Sequence, residues 1–502
     1  MTWILTGAAF LAAGVSELRW LRVAQREHYL LGVSRFARMW WGRDVRNRML
    51  LAVALLSAVV ASRVTVVGFA AVGIGLVGPL GLAVRGRTSA LAWTGRLRRL
   101  AAVVTAITLG ATAPAALLGI PTLVATVPLA VPVVVDIGLR LMAGYERRQG
   151  DRWVRQAAAS LSRIDPTIVA ITGSYGKTST KNIVAHLLGG VRSVTASPAS
   201  FNNRLGLARA VNESLTPGTD VFVAEMGTYG PGEIRDLCEW VPPDVAVITA
   251  LGPVHLERMG SVERIAAAKR EILDRAPVAV VSVDHPLLAA IAGEESGRRK
   301  VITVSGEGAT ADVVTGPDGG VLVGGALIGT FSSATAHPGN VACAVGVLLA
   351  LGVDPGRAAE RLRDLPDVPH RRTIGRSERG FDIVDDTFNS NPAGAESALE
   401  LLARQGSSGG RKVVVSPGMV ELGERQRAAN HDFAAAAGRS GVTDFVVVNR
   451  TNRQALVAGA RAGGVSSIIV FDTRDDAVRW VRETLVEGDA VLYENDLPDH
   501  YP

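Results

Sequence analysis

The chain has 502 residues, a formal net charge of +6, 48% apolar residues and only 5% aromatic residues. This length allows about three domains of typical size. The two cysteines, Cys238 and Cys343, are far apart and lack a CxxC partner. They exclude a disulfide framework and a cysteine zinc site, and they indicate buried thiols. The arginines of the first third adjoin apolar runs, so the basic balance indicates a membrane surface and excludes nucleic acid as the partner.

Residues 1–150 are predicted to form a membrane domain. Its apolar runs are Trp3–Val15, Met49–Val84 and Leu100–Met142. One crossing takes about 20 apolar residues, so each of the two longer runs has room for a helical hairpin. The domain therefore has four or five membrane helices. A cleaved signal peptide is the alternative interpretation of the first run, although no basic segment precedes it.

Charge predicts the orientation of these helices. Arginine-rich segments at 19–48, 85–99 and 147–155 follow or separate the apolar runs. The positive-inside rule places all three in the cytoplasm and the turns near Ser62 and Gly119 outside. With five crossings the N-terminus lies outside and the rest of the chain is cytoplasmic. The protein is thus predicted to be a multi-pass protein of the cell membrane.

Two polar features of this domain have ordinary explanations. The aromatic residues among the arginines are typical of an interfacial belt against lipid headgroups: Trp20, Tyr29, Trp40 and Trp41. Asp136 precedes Arg140 by four residues in the last apolar run. We interpret them as an i,i+4 ion pair near the cytoplasmic interface and not as a transport site.

From Asp151 the composition becomes that of a soluble α/β protein. A linking helix is predicted at Arg152–Ile164, ended by Pro166. Strands are then predicted at Ile168–Thr172, Val221–Glu225, Val245–Ala250, Val278–Ser282 and Val301–Val304. Helices are predicted at Thr180–Leu188, Gly232–Glu239, Ser261–Arg275 and Gly339–Leu351, with a hairpin flap in Ser305–Thr330. This alternation predicts a P-loop-type, doubly wound central domain over residues 151–366.

A second α/β domain of Rossmann-like type is predicted over residues 367–502. Its strands are expected at Ile383–Asp385, Lys412–Ser416, Phe445–Val448, Ser467–Phe471 and Ala490–Tyr493. Its helices include Gly394–Arg404 and Asn430–Arg439. The fold class is therefore α/β, preceded by a helical transmembrane domain.

The stretch Ala170–Asn182 reads A-I-T-G-S-Y-G-K-T-S-T-K-N, between a β-branched run and a helical pattern. This order is typical of a strand, a phosphate loop and a helix, with backbone N–H groups and the helix dipole facing the phosphates. Ile171 stands where the longer Walker pattern has glycine, so only the short form G-x-x-G-K-T is present. An ordinary turn with a surface lysine is the alternative. The predicted nucleotide-binding residues are Gly173, Ser174, Tyr175, Gly176, Lys177, Thr178 and Ser179.

Other polar residues follow predicted strands or helices. Glu225 ends a strand, where a carboxylate can bind Mg²⁺ or pair with a nearby lysine. His255 follows the next strand, where it is a second metal ligand or a surface residue. Lys269 lies on an amphipathic helix, where lysine usually faces solvent. Asn202 and Asn203 cap a helix or bind a phosphate or acyl group.

Six motifs occur in one order between about Ile168 and Gly488. They are T-G-S-Y-G-K-T-S-T-K, F-N-N-R-L-G, E-M-G-T-Y-G-P-G-E-I, H-L-E-R-M-G-S-V-E-R-I-A-A-A-K-R-E-I, D-D-T-F-N-S-N-P and P-G-M-V-E-L-G-E. In this arrangement the chain resembles the Mur ligase family, and within it most closely the branch that adds D-alanyl-D-alanine. The resemblance implies amide formation between a carboxylate and an amine, with ATP and Mg²⁺ generating an acyl phosphate.

The resemblance also implies a role for each matching residue. Thr178 and Glu225 would hold the Mg²⁺ on the ATP phosphates, and His255 would help to bind a second ion. Lys177 would stabilise the transferring phosphoryl group. Lys269 falls on the lysine that is carbamylated in the family, and its carbamate would orient the second metal. These roles suit phosphoryl transfer, which depends on charge neutralisation and alignment.

Residues nearer the C-terminus are assigned in the same way. Asn340 would contact adenine, while His337 stays unassigned because its spacing differs by one from the common pattern. Arg371 and Asp386 would reach the nucleotide from the third domain, whose closure would exclude water. Four asparagines are candidate substrate contacts: Asn202, Asn203, Asn389 and Asn391.

Two departures from the family leave the substrate open. The membrane domain replaces the UDP-sugar-binding domain, and the acidic segment Tyr493–Asp499 replaces a lysine- or histidine-containing substrate loop. Such a segment would attract an amine. We expect a membrane-anchored ligase that joins an amino acid or peptide amine to a cell-envelope carboxylate, with membrane lipid and envelope-synthesis proteins as partners. The alternatives are a poly-γ-glutamate-synthase-like ligase and a non-catalytic nucleotide-binding scaffold; a transporter would need a polar path beyond Asp136.

Overall fold

The computed structural model describes residues 1–85, 91–316, 318–332, 336–366, 373–387, 390–497 and 500–501. The chain divides into two compact units. The first comprises residues 1–149, 449–451 and 497–502, and the second comprises residues 150–448 and 452–496.

The first unit is helical. Its helices are α1 (Thr2–Arg26), α2 (Val33–Gly42), α3 (Val45–Val60), α4 (Gly68–Val77), α5 (Gly95–Leu117) and α6 (Pro121–Ile164), the last of which continues into the second unit. Within the described part of the chain, α1, α5 and α6 are long and apolar enough to cross a membrane. Helices α3 and α4 coincide with the predicted hairpin in Met49–Val84, but they have 16 and 10 residues.

Two helices run further than the apolar patterns predict. Helix α1 continues beyond Val15 through Arg19 and Arg22, which we expected in a cytoplasmic connection. Both side chains are buried, and the Arg19 guanidinium donates to the carbonyls of Gly78 (2.8 Å) and Leu82 (3.0 Å). These bonds satisfy carbonyls that follow α4, which explains why charge does not end the helix. The predicted helix Arg152–Ile164 is wrong as a separate element, because α6 is continuous over 44 residues.

The interfacial belt and the Asp136 ion pair are also corrected. Trp20, Trp40 and Trp41 are only 1%, 3% and 7% exposed, so they pack inside the unit. The Asp136 carboxylate accepts hydrogen bonds from the backbone N–H groups of residues 32–34, at 2.9–3.0 Å. Asp136 therefore caps the start of α2 instead of pairing with Arg140, since the N-terminal N–H groups of a helix lack intrahelical partners.

The last residues of the chain pack in this first unit. The indole N–H of Trp40 donates to the carbonyl of His500 (2.8 Å), and Nε2 of His500 lies 2.8 Å from a Glu27 carboxylate oxygen. The Phe36 ring lies 5.0 Å from the His500 ring and 5.2 Å from the Tyr501 ring. We call these five residues the His500 cluster.

The second unit contains two sheets. The strands of the first are β1 (Thr167–Thr172), β2 (Val194–Ala196), β3 (Val221–Glu225), β4 (Val245–Ile248), β5 (Val278–Ser282), β6 (Lys300–Ser305), β7 (Val313–Thr315), β8 (Gly320–Val323) and β9 (Ala326–Thr330). Their order is β2-β3-β1-β4-β5-β6-β7-β8-β9, parallel as far as β7 and antiparallel over the last hairpin. The central strands are apolar throughout because helices cover both faces.

The strands of the second sheet are β10 (Thr373–Arg376), β11 (Asp382–Asp386), β12 (Lys412–Ser416), β13 (Asp444–Val448), β14 (Ser467–Phe471) and β15 (Ala490–Glu494). Their order is β10-β11-β15-β12-β13-β14, and only β10 is antiparallel to its neighbour. This is the predicted α/β pattern, and it brings the carboxyl ends of β11, β12 and β15 to one edge.

Eleven helices among the described residues flank these sheets. They are α7 (Lys177–Leu188), α8 (Arg204–Ser214), α9 (Glu233–Cys238), α10 (Leu256–Met259), α11 (Val262–Arg270), α12 (Pro286–Ser296), α13 (Pro338–Ala350), α14 (Pro392–Ala403), α15 (Gln426–Arg439), α16 (Arg453–Ala462) and α17 (Arg474–Thr484). Cys238 and Cys343 are buried free thiols, as predicted, and burial raises the pKa of both.

Candidate active site

The predicted phosphate loop lies between β1 and α7, and it is fastened to the segment that follows β4. The Ser174 N–H donates to the carbonyl of Ala250 (2.8 Å), and the Ser174 hydroxyl is 3.1 Å from the carbonyl of Gly252. Gly176, the residue before α7, has φ +79°, and a Cβ there would lie 2.1 Å from Oδ1 of Asn340. Only glycine fits this position, so the loop comes close to α13 through its backbone.

Lys177 begins α7 directly after this turn. Its ammonium group donates to the carbonyl of Gly173 at 2.8 Å, which holds the side chain across the loop. The loop therefore presents a cation and the N-terminal N–H groups of α7 on one side. This arrangement suits a phosphate group.

Glu225, at the end of β3, is the centre of a buried polar cluster. Its carboxylate accepts from the Thr178 hydroxyl (2.8 Å), the Lys181 ammonium (3.3 Å) and the Asn202 amide (2.9 Å). Both Glu225 and Lys181 are 1% exposed. Because burial of an unpaired charge is costly, these contacts hold the carboxylate in one position beside the phosphate loop.

The donor set at this cluster fits Mg²⁺. The Thr178 hydroxyl and the Glu225 carboxylate are hard oxygen ligands within hydrogen-bond distance of each other. Protein sites for Mg²⁺ often supply only one or two such oxygens, and phosphates and water supply the others. The described residues hold no group of three or more His, Cys, Asp and Glu side chains around one point. Bound phosphate would therefore have to complete the coordination.

His255 lies beside a carboxylate of the other domain. Its Nδ1 is hydrogen-bonded to the carboxylate of Glu421, and the Glu257 N–H donates to the carbonyl of Glu421 at 3.3 Å. The Tyr229 ring packs 4.8 Å from the imidazole. Nδ1 is thus engaged, so Nε2 is the nitrogen that can act as a ligand.

We expect the carboxylate of Glu421 to strengthen Mg²⁺ binding by His255. In a Glu421→Gln variant, Mg²⁺ affinity in the presence of ATP should fall about tenfold, because a carboxylate partner orients and strengthens a histidine ligand. Mg²⁺ titrations of ATP turnover would measure this change. Glu424→Gln is the matched control, since Glu424 is exposed on the same segment. An unchanged Mg²⁺ dependence in Glu421→Gln would show that this pair is only structural.

Lys269, on α11, is buried although its helix pattern predicted a solvent-facing lysine. Its side chain is 5% exposed, and no hydrogen-bond acceptor contacts its ammonium group among the described residues. Burial, and then the nearby Lys177 cation, lower the pKa of Lys269 well below its usual value. A neutral amine in this position is a nucleophile, and its reaction with CO₂ would convert it to an anionic carbamate with release of one proton.

A cavity of about 270 Å³ adjoins the phosphate loop. Tyr175, Gly176, Ser179 and Asn340 line it from the first sheet's domain, and Asp386 lines it from β11 of the second. Burial raises the pKa of Tyr175, so its hydroxyl stays protonated. Five of the ten predicted nucleotide-binding residues therefore line one cavity. Gly173, Ser174, Lys177 and Thr178 are not among its lining residues, and Arg371 lies outside the described residues.

Several asparagines have structural roles. Asn203 caps α8 and Asn391 caps α14, each accepting a backbone N–H within 2.9 Å. His337, which we left unassigned, likewise accepts from the Gly339 N–H at the start of α13. Asn391 also lines the cavity, and Asn202 contacts Glu225, so both stay near the site. Arg371 and Asn389 lie outside the described residues.

Two acidic side chains of the segment Tyr493–Asp499 are engaged in contacts, and Asp499 lies outside the described residues. Glu494, at the end of β15, is fully buried and accepts from the Ser390 hydroxyl, while Asp496 is 2.6 Å from a guanidinium nitrogen of Arg474. Burial and the neighbouring Asp386 raise the pKa of Glu494 well above its usual value. These two carboxylates are therefore not free to attract an amine, contrary to our expectation.

Three residues near the site were missed. Lys181 lies one helical turn after Lys177, so the helical period of α7 could have placed it beside Thr178 and Glu225. Asp284 follows β5 and lines the cavity, which the strand-end argument already used for Glu225 could have indicated. No local pattern indicates that Glu421 meets His255.

Protein-family models match this chain in two regions. Residues 171–322 match the family model of the Mur ligase middle domain, and residues 370–493 match that of the Mur ligase, glutamate ligase domain. Together these matches span more than half of the chain. The chain belongs to the Mur ligase family.

Relatives of known function agree with this assignment. The UDP-N-acetylmuramoyl-tripeptide–D-alanyl-D-alanine ligase of Mycobacterium leprae is 32% identical over 383 residues, which cover 67% of this chain and 72% of that protein. The ligase of the same name from Bacillus subtilis is 26% identical, and the match covers 67% of this chain and 75% of that protein. The match to this branch of the Mur ligases is thus the one that the motifs predicted.

Solved structures show the same fold. A MurF ligase from Thermotoga maritima in complex with ADP has a TM-score of 0.58 and 28% identity, covering 69% of this chain and 80% of that one. A MurF from Acinetobacter baumannii has a TM-score of 0.60 and 24% identity, and the match covers 68% of this chain and 77% of that one. The Mur ligase middle and C-terminal domains are therefore present as a mixed α/β fold.

This Mur ligase is an ATP-dependent amide ligase, and ATP with Mg²⁺ is the cofactor pair of its family. Its N-terminal region lacks the UDP-binding domain. The described residues before β1 contain helices and connecting segments but no strand.

Proposed function

We propose that this chain is a membrane-anchored ligase that activates a cell-envelope carboxylate with MgATP and joins it to an amine. The observation that carries the proposal is the buried Glu225 cluster beside the phosphate loop, where Thr178, Lys181 and Asn202 hold the carboxylate. A protein that kept the fold but lost catalysis would not need to hold a carboxylate with three donors at this edge of the sheet.

The proposed roles follow from position. When bound, MgATP would supply the phosphoryl group that converts the carboxylate to an acyl phosphate, with ADP as the leaving group. Thr178 and Glu225 would hold the metal ion, and Lys177 would neutralise charge on the transferring phosphoryl group. His255 and a carbamylated Lys269 would hold a second ion. Asn340 and Asp386 bind the nucleotide, with Arg371 proposed from its motif alone.

The proposed division of the chain remains a membrane domain over 1–150, an ATP-binding domain over 151–366 and a C-terminal domain over 367–502. Helices α1, α5 and α6 are long enough to cross a membrane, and α3 with α4 forms a shorter hairpin. The arginine-rich segments support a cytoplasmic location for the catalytic domains, where ATP is available. In this location the enzyme meets envelope precursors at the membrane surface.

The proposed substrates are an amino acid or peptide amine and an envelope-linked carboxylate. The similar Mycobacterium leprae protein is named for a UDP-muramoyl tripeptide and D-alanyl-D-alanine. Because the UDP-binding domain is absent here, we propose a peptidoglycan-related carboxylate that need not carry UDP.

Incubation of the full-length protein with ATP, Mg²⁺ and a panel of amines and envelope precursors tests this function. We expect ADP to appear together with an amide product whose mass identifies both partners. ATP binding without ADP formation across the whole panel would instead support a nucleotide-binding scaffold. A product that is a glutamate polymer would support the poly-γ-glutamate alternative.

A further inference from the structure

The first unit contains a second cavity that the ligase chemistry does not use. It has a volume of about 550 Å³ and lies among α2, α3 and α6. Cavities of this size commonly hold small ligands. Leu51, Leu55, Leu129 and Val133 line its wall, and Arg38 and Arg48 line it as well. The cavity therefore combines an apolar wall with two cations.

The two arginines differ from others in this unit. Arg19 and Arg22 donate to backbone carbonyls, and Arg99 pairs with Glu146 at 2.7 Å. Arg38 and Arg48 are exposed and have no partner of any kind among the described residues. Two unpaired guanidinium groups beside one cavity suit an anion with several oxygen atoms, because guanidinium binds phosphate in a forked geometry.

The apolar wall indicates that this anion carries a hydrocarbon chain. Leu55 and Val133 are 48% and 52% exposed, so the cavity opens onto the apolar exterior of the helices. Along α3, Leu55 lies seven residues beyond Arg48, which is about 10 Å at the helical rise. A headgroup at the arginines would thus have its acyl chain beside the leucines.

We propose that this cavity binds one anionic phospholipid of the cytoplasmic leaflet. Its phosphate contacts Arg38 and Arg48, and an acyl chain lies along Leu51, Leu55 and Val133. This inference rests on the proposed membrane location, since only there does the chain meet such a lipid. Arg38 lies on α2 and Arg48 near the start of α3, within the arginine-rich segment that the positive-inside rule assigns to the cytoplasmic face.

Native mass spectrometry of the full-length protein in non-ionic detergent tests this site. The probes are phosphatidylglycerol and phosphatidylcholine with the same acyl chains. We expect wild-type protein to bind phosphatidylglycerol about tenfold better, since each basic residue near the headgroup adds attraction. The double variant Arg38→Gln/Arg48→Gln should lose this preference. Arg46→Gln is the matched control, because Arg46 is exposed on α3 but does not line the cavity.

A second variant tests the apolar wall independently. Ala130 lines the cavity, and Ala130→Trp should fill it and lower occupancy by phosphatidylglycerol about tenfold while both arginines remain. Equal binding of the two lipids by wild-type protein, or an unchanged preference in the double variant, would overturn the inference. Displacement of the lipid by millimolar inorganic phosphate would also overturn it, since the site would then hold a free anion.

The same preparations separate this inference from the proposed function. Release of the protein from membranes by alkaline carbonate would refute the membrane anchor itself. Resistance to carbonate without a lipid preference would refute only the lipid site. ADP formation in detergent should be unchanged in the Arg38 and Arg48 variants, because neither residue is in the second unit.

Discussion

A Lys177→Ala variant should lose ATP-dependent phosphate transfer almost completely. The Lys177 ammonium crosses the phosphate loop to the carbonyl of Gly173, which places its charge where the transferring phosphoryl group would lie. Removing one preorganised charge at such a position lowers turnover by about 10²–10³-fold or more. Alanine favours the helical conformation, so α7 should persist. ADP formation at saturating ATP and amine is the measurement.

The control for this prediction is Lys300→Ala. Lys300 starts β6, is exposed, and lies outside the cavity beside the loop. Its replacement should leave ADP formation within about twofold of wild type, because isolated surface charges contribute little. Undiminished turnover in Lys177→Ala would contradict the proposed role of the loop.

Lys269→Arg and Lys269→Ala should both reduce amide formation by about 10²-fold or more, although arginine keeps the positive charge. The reason is that only a neutral amine can take up CO₂, and arginine remains protonated in proteins. Incubation with ¹³C-labelled bicarbonate should give a carbamate resonance in the wild-type protein that both variants lack. An active Lys269→Arg enzyme would show that the residue acts only by packing or charge.

The lowered pKa of Lys269 gives this prediction a pH dependence. An ordinary lysine is mostly protonated below its usual pKa, so it forms carbamate only under alkaline conditions. Lys269 is neutral down to its lower folded-state pKa, and its carbamate resonance should persist to lower pH than that of surface lysines. Between the lower pKa of Lys269 in the folded state and its usual pKa in the unfolded state, the unfolded chain binds more protons than the folded chain. Stability of the free amine form therefore falls as the pH falls through this window.

The core of the site could be predicted because it follows from strand ends. Strands β1 and β3 are parallel neighbours, and Ile171 is in register with Glu225. A loop after one strand and a carboxylate ending the other must therefore meet at the same edge. The family resemblance had paired Thr178 with Glu225, and the Thr178 hydroxyl is 2.8 Å from the Glu225 carboxylate.

Other parts of the site could not be predicted from local patterns. His255 and Glu421 are 166 residues apart, and their contact depends on how two domains pack. Strands β2 and β10 have three and four residues, which is too short for a clear alternation. Lys269 lies on an amphipathic pattern that ordinarily marks a solvated lysine, and only tertiary packing buries it.

In the helical domain, the hydropathy pattern could not predict where the first helix ends. A hydropathy pattern ends at the first charged residues, yet α1 continues through Arg19 and Arg22 because carbonyls after α4 accept their hydrogen bonds. Those acceptors come from more than 50 residues further along the chain. Sequence alone therefore located the apolar runs but underestimated the length of the first helix.

The His500 cluster has a consequence for how the protein is made. Glu27, Phe36 and Trp40 leave the ribosome early, and His500 and Tyr501 are translated more than 450 residues later. The carbonyl of His500, which accepts from the buried indole N–H of Trp40, is therefore absent while both sheets are being translated. The first unit can thus be completed only after both sheets have been translated.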